Sequence, residues 1–280
     1  MKKSALIAVL TAIGAVILGA RLLGAEATGT DPMVIIHSRP IYPLATGGVL
    51  HSTSLAVPPL IDGQLGDWPA AESIGLDRYT AYTFVGRVDD TNDLSSLIRS
   101  GWNEQNVYFA VEVTDDIVIG GDSADMWRDD SIEIGLDGLN DEYPWGWDDH
   151  QYTIAVDGRT SDRGAPASDL VAAISQHEGG YNIEVSIPMS KLLSGSPISG
   201  TVMGFTVGIY DDDDGGSWDA YLIWQGPNTS GSPEQFGDLL FTERAEDRLI
   251  ALEAKLIELE RKLQELLVIV EGFQGVRPPD

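Results

Sequence analysis

Residues 170–188, LVAAISQHEGGYNIEVSIP, hold two alternating runs around the pair Gly179-Gly180. In the second run Tyr181, Ile183, Val185 and Ile187 alternate with Asn182, Glu184 and Ser186. A period of two is the signature of a strand with one face in a core, and a helix cannot satisfy it. Two such runs separated by a Gly pair predict a hairpin. The same texture continues on both sides. NVYFAVEVTD (106–115), DSIEIGLDG (130–138) and QYTIAVDG (151–158) read as strands, as do MGFTVGIYDD (203–212), AYLIWQG (220–226) and FGDLLFTE (236–243). Their Gly/Asp turns and regular spacing predict an all-β fold, an antiparallel β-sandwich over residues 57–243. One short helix is expected at IPMSKLL.

The two ends of the chain differ from this middle. MKK followed by a 17-residue apolar run and Gly24-Ala25-Glu26-Ala27 reads as a signal peptide or an N-terminal anchor, residues 1–27. Residues 28–56 read as a linker or an added strand. From 244 to 273 a heptad pattern takes over. Leu249, Leu252, Leu256, Leu259, Leu263, Leu266, Val270 and Phe273 fall in alternating steps of three and four, all at positions a or d. Arg248, Lys255 and Lys262 then occupy g, and Glu253 and Glu260 occupy e. The expectation is a parallel coiled coil joining several copies of the chain, with three or more favoured because Leu267 and Ile269 widen the apolar stripe. A helix folded back on its own sandwich is the alternative. Gly272 and the following Pro residues stop the helix, leaving 274–280 as a tail.

The net charge is −27 and there is no Cys. An acidic surface of this kind repels nucleic acid and anionic lipid and attracts divalent cations. The membrane is expected to be touched only by the N-terminal segment, if that segment stays uncleaved. Without Cys there is neither a disulfide framework nor a thiolate metal site, so the sandwich must be held by its core.

Six pieces in order carry a family likeness: IDGQLGDWPAA (61–71), SGWNEQNVYFAVEVTDD (100–116), MWRDDSIEIGLDG (126–138), DDHQYTIAVDGR (148–159), GYNIEVSIPMSKL with GFTVGIYDDDD, and FGDLLF. Together they resemble the family 9 carbohydrate-binding modules and their DOMON-like relatives over about 185 residues. The resemblance implies a β-sandwich, calcium in its loops, and a sugar site. In that site Trp127 would stack on a pyranose face and Glu133 would hydrogen-bond hydroxyls, with Gln151 retained beside them. The family's second stacking Trp corresponds to Ser230, and Thr153, Gly208 and Tyr210 stand where family members show Arg, Gln or Asn.

The residues support parts of this on their own. Asp115, Asp116, Asp122, Asp125 and the run Asp211, Asp212, Asp213 crowd carboxylates into turns, the hard oxygen donors calcium requires. Trp68 and Trp102 read as core. Trp145 and Trp147 lie in an acidic loop, DEYPWGWDDHQY, where burial of both is not expected, and they are candidate glycan contacts. No pair of acids or set of His residues marks a catalytic centre. The expected function is therefore an exported, non-catalytic, calcium-stabilised glycan binder outside the cell or at its surface, meeting a polysaccharide or surface glycan. One competing reading is a structural building block of the cell surface without a sugar ligand. Another is a haem-binding electron-transfer subunit, with Met126 or Met203 as axial ligand.

Overall fold

The computed structural model describes residues 48–274, apart from 70, 71, 144, 231 and 232. The expected signal or anchor, most of the 28–56 segment and the end of the tail lie outside the described residues. Two antiparallel layers form the fold. The first contains β2 (Ser73–Leu76), β4 (Leu94–Trp102), β5 (Asn106–Asp115), β10 (Val171–His177) and β11 (Gly180–Pro188), in the order β10-β11-β5-β4, with β2 beside β4. The second is built on β14 (Gly237–Thr242), β12 (Val202–Asp211), β6 (Ser131–Asp137), β7 (Asp149–Ala155), β8 (Thr160–Asp162) and β9 (Ala165–Pro166), in that spatial order. Strand β13 (Ala220–Ile223) also pairs with β12, and β3 (Tyr82–Gly86) pairs with β13.

The layers are joined by β1 (Val49–Ser54), which lies between β14 and β4 and runs parallel to both. Every other pairing among the described residues is antiparallel. The strand therefore comes from within the 28–56 segment and enters this chain's own sheet.

The period-two residues meet in one core. Val107, Phe109, Val111 and Val113 of β5 and Tyr181, Ile183, Val185 and Ile187 of β11 face Ile132, Ile134 and Leu136 of β6 and Met203, Phe205, Val207 and Ile209 of β12. Phe109 and Phe205 stack across the layers with ring centroids 5.2 Å apart, and Trp102 stacks on Phe241 at 5.0 Å. Each fully buried large side chain stabilises the fold by about 1.5–3 kcal/mol. The hairpin β10–β11 turns as its Gly pair predicts. Gly180 has φ +139°, and a Cβ there would lie 2.0 Å from the carbonyl oxygen of Val113.

A smaller apolar cluster covers the outer face of β5, where Trp68 packs with Tyr108 and Ala110. Buried Glu184 fastens it: its carboxylate accepts the backbone N–H of Asp62 and Gly63 at 3.0 and 2.6 Å and the Trp68 indole N–H at 2.5 Å. The short helix α1 (Met189–Leu192) follows β11, and the long helix α2 (Ala245–Gln274) follows β14. No helix among the described residues is long and apolar enough to cross a membrane.

Candidate functional site

The alternation that buries Ile132, Ile134, Tyr152 and Ile154 turns Glu133, Gln151 and Thr153 to the opposite, outer face of the second layer. There they floor a cleft of about 360 Å³. A 3-10 turn, Met126–Arg128, brings Trp127 to one flank, and the β8–β9 turn brings Arg163 and Gly164 to the cleft. Trp127, Glu133 and Gln151, all expected from the sequence, are thus brought together.

Glu133 is the hub. Its Oε1 accepts hydrogen bonds from Gln151 Nε2 and Thr153 Oγ1, both at 3.1 Å, and its Oε2 accepts from Tyr210 at 3.2 Å and from Thr229. Four donors fill the acceptor positions of a side chain only 3% exposed. Burial raises its pKa, and the hydrogen bonds from Thr229, Gln151, Thr153 and Tyr210 oppose that rise. The carboxylate therefore fixes the side chains a ligand would touch rather than standing free itself.

Trp127 is half-buried. Its ring carries the Arg128 guanidinium 4.7 Å from the centroid and meets Trp218 edge-on at 6.2 Å. Trp218 is in turn edge-on to Tyr210, which stacks on Tyr221 at 4.2 Å. Trp145 stands beside Arg163, whose guanidinium lies 5.5 Å from its ring centroid. Trp147 is 55% exposed in the same loop and is not part of the cleft lining. Both Trp145 and Arg163 hold positive φ, +61° and +48°, conformations that bulky residues adopt only where surrounding contacts impose them. Met126 lines the cleft, whereas Met203 is sealed in the core.

Carboxylates gather at both ends of this layer. At the start of β6, Asp115, Asp130 and Asp211 approach within 4.8 Å of one another, and Asp213 joins both Asp115-Asp116 and Asp93-Asp211 in the same way. Burial first, and then the neighbouring carboxylates, push Asp115 up to about 7, Asp130 to about 8 and Asp211 to about 9. No Lys, Arg or His among the described residues pairs with these groups. Buried oxygens of Asp115, Asp211, Asp212 and Asp213 have no hydrogen-bond partner. Unpaired buried carboxylate oxygens in an all-oxygen set fit a hard divalent cation.

A second group, Asp122, Asp129 and Asp212, lies close by, with Arg159 on Asp129 at 2.5 Å. Asp125 turns instead to Arg128 at 3.2 Å. A third group, Asp137, Asp148 and Asp149, sits at the far end of β6, and one buried oxygen of Asp149 is also unpaired. Asp93, Asp129, Asp130, Asp137, Asp148 and Asp149 were not among the expected ligands, although four of them stand in adjacent acidic pairs at strand ends.

Residues 61–244 match the family described as Carbohydrate family 9 binding domain-like. The chain belongs to this family. Endo-1,4-beta-xylanase A of Thermotoga neapolitana is 28% identical over 197 residues, which is 69% of this chain and 18% of the xylanase. The exoglucanase XynX of Acetivibrio thermocellus is 28% identical over 196 residues, 68% of this chain and 17% of that enzyme. The chain thus spans under a fifth of the length of these curated relatives. Among solved structures, a family 9 module from Caldicellulosiruptor kristjanssonii in complex with cellotriose superposes with a TM-score of 0.57 at 21% identity. That match covers 71% of this chain and 96% of the module. The same module in complex with glucose superposes equally well.

In this family 9 chain Ser230, expected at the place of the second stacking Trp, is exposed and donates to Asn228. Thr153 and Tyr210 both bind Glu133. At Gly208 the ring of Tyr221 fills the space a side chain would take, since a Cβ there would lie 2.2 Å from the Tyr221 hydroxyl.

Proposed function

We propose that this chain is an exported, non-catalytic glycan-binding protein whose sandwich is held by calcium ions, and that it works outside the cell or at its surface. The observation that carries the reading is the cleft. An aromatic ring flanks a polar floor whose donors are held in place by one buried carboxylate. A pyranose has an apolar face for the ring and hydroxyls for Gln151, Thr153 and Arg163. The volume lies within the range of about 300–1,000 Å³ typical of small-ligand sites.

Calcium would be held by Asp115, Asp130 and Asp211 with Asp93, Asp116 and Asp213, by Asp122, Asp129 and Asp212, and by Asp137, Asp148 and Asp149. Its role there is to replace the protons and repulsion of buried carboxylates with fixed contacts. The turn carrying Trp127 leads directly into Asp129 and Asp130, so the ions would also steady the stacking ring. Three or more chains gathered by α2 would let weak single sites act together on one polymer.

The test is a titration of the calcium-loaded protein with glucose, cello-oligosaccharides and xylo-oligosaccharides, read by Trp fluorescence, with Trp127→Ala alongside. Saturable quenching lost in the variant supports the reading. No response to any of these or to a wider glycan array would leave the cell-surface building block as the better account.

A further inference from the structure

Helix α2 carries an apolar stripe that nothing among the described residues covers. Leu249, Leu252, Leu256, Leu259, Leu263 and Leu266 are each between 42% and 62% exposed, so in this structure the stripe is not laid against the sandwich. The side chains of Val270 and Phe273 lie outside the described ones. We propose that the occupant of this stripe is the same helix from further copies of the chain, set parallel and in register. The inference goes beyond glycan binding and stands whether or not a sugar is bound.

The charges beside the stripe specify the partner. In a parallel, in-register assembly each g residue meets the following e residue of its neighbour. Arg248 then faces the neighbour's Glu253 and Lys255 the neighbour's Glu260, both oppositely charged. The third g cation, Lys262, would face Leu267 and find no acid there. Within the chain, Lys262 is the g cation that has a partner of its own, Glu258 at 3.4 Å, whereas Arg248, Lys255, Glu253 and Glu260 form no ion pair among the described residues. Arg261, on the side away from the stripe, pairs with Glu258 at 2.7 Å and also with Glu265 along the helix. Apart from Glu246 in the first turn, the helix charges left without an ion pair among the described side chains are the four that a parallel neighbour would pair. An antiparallel neighbour would set g against g and e against e, cation on cation and acid on acid. A parallel shift of one heptad would still set Lys255 and Lys262 of one chain against Glu253 and Glu260 of its neighbour, but it leaves seven residues of each stripe uncovered, so full burial of the leucines selects the in-register form.

Sedimentation of the full chain, compared with Leu256→Asp combined with Leu263→Asp, tests the contact. Both leucines are exposed, so the sandwich should melt as in the parent while the assembly falls to single chains. Direction is read with Leu252→Cys, which introduces the only thiol in a chain without Cys. Parallel register brings these thiols together, and mild oxidation should link the chains in pairs. An antiparallel arrangement holds them about 22 Å apart, beyond any disulfide. Lys255→Glu should weaken assembly, and adding Glu260→Lys should restore it. A parent that sediments as one chain, an assembly indifferent to the paired Asp substitutions, or assembled Leu252→Cys chains that do not cross-link would overturn the proposal.

Discussion

Stripping divalent cations with a chelator should lower the melting temperature, and the size of the drop should depend on pH. The reason lies in Asp115, Asp130 and Asp211, pushed up to about 7, 8 and 9 chiefly by burial. A carboxyl whose pKa is raised in the folded state favours folding while it is protonated. That contribution is complete below the unfolded value near 4 and is lost as pH climbs through about 7 to 9. The ion-free protein should therefore melt at progressively lower temperature from pH 5 to pH 9. Calcium reverses the trend, because binding displaces protons. For each proton released, the apparent affinity gains about tenfold per pH unit, so one proton gives about 100-fold between pH 6 and pH 8.

With free calcium at about 100 times its dissociation constant at pH 8, the stabilisation is about 2.7 kcal/mol. At about 2–4 °C per kcal/mol for a domain of this size, the midpoint rises by about 5–11 °C. The same calcium concentration at pH 6 roughly equals the dissociation constant and stabilises by about 0.4 kcal/mol, a shift of about 1 °C. Differential scanning calorimetry at both pH values, with calcium and with chelator, measures all four midpoints. Equal midpoints with and without calcium at pH 8 would refute the ion sites. An equal gain at pH 6 and pH 8 would show that the ions do not replace protons on these buried carboxylates.

Two further outcomes follow from the cleft. Glu133→Ala leaves Gln151, Thr153, Tyr210 and Thr229 without their common acceptor. At about 1–3 kcal/mol for each orphaned buried donor, and with hydroxyls free to turn elsewhere, the loss should be about 2–4 kcal/mol in chemical denaturation; an unchanged midpoint would contradict the hub. Gly208→Ala drives a methyl into the Tyr221 ring and should cost about 1–3 kcal/mol, with a change in near-ultraviolet circular dichroism as Tyr210 and Tyr221 separate. A parental spectrum and midpoint would show that the ring yields freely.

The strands that make the core were legible because burial on one face writes a period of two into the sequence. The run at 106–115 coincides with β5, and the Gly179-Gly180 turn with the β10–β11 hairpin. Strand β1 was harder to see. Its core-facing Leu50 and Ser52 give little apolar alternation, and its partners β14 and β4 are distant in sequence. The edge pieces β2, β3, β8 and β9 are too short to show any period. At the site, Glu133, Gln151 and Trp127 came from a family likeness, but the closing of Tyr210 and Thr229 on Glu133 depends on strand pairing that local pattern does not reveal. The same holds for Asp93 beside Asp211, or Asp130 beside Asp115: Asp115 and Asp211 were legible as turn acids, whereas their convergence with Asp93 and Asp130 is a property of the folded sheet.

The parallel pairing of β1 with β14 has a mechanical consequence. The ladder runs from Val49 opposite Asp238 to Thr53 opposite Thr242, so the chain enters β1 at one end of the pair and leaves β14 for α2 at the other. Tension applied between the segment preceding residue 48 and the helix is directed along these two strands in opposite senses. It loads their hydrogen bonds in shear, all at once, instead of peeling them apart one after another. The β1–β14 ladder is thus placed to bear load along its length rather than to unzip.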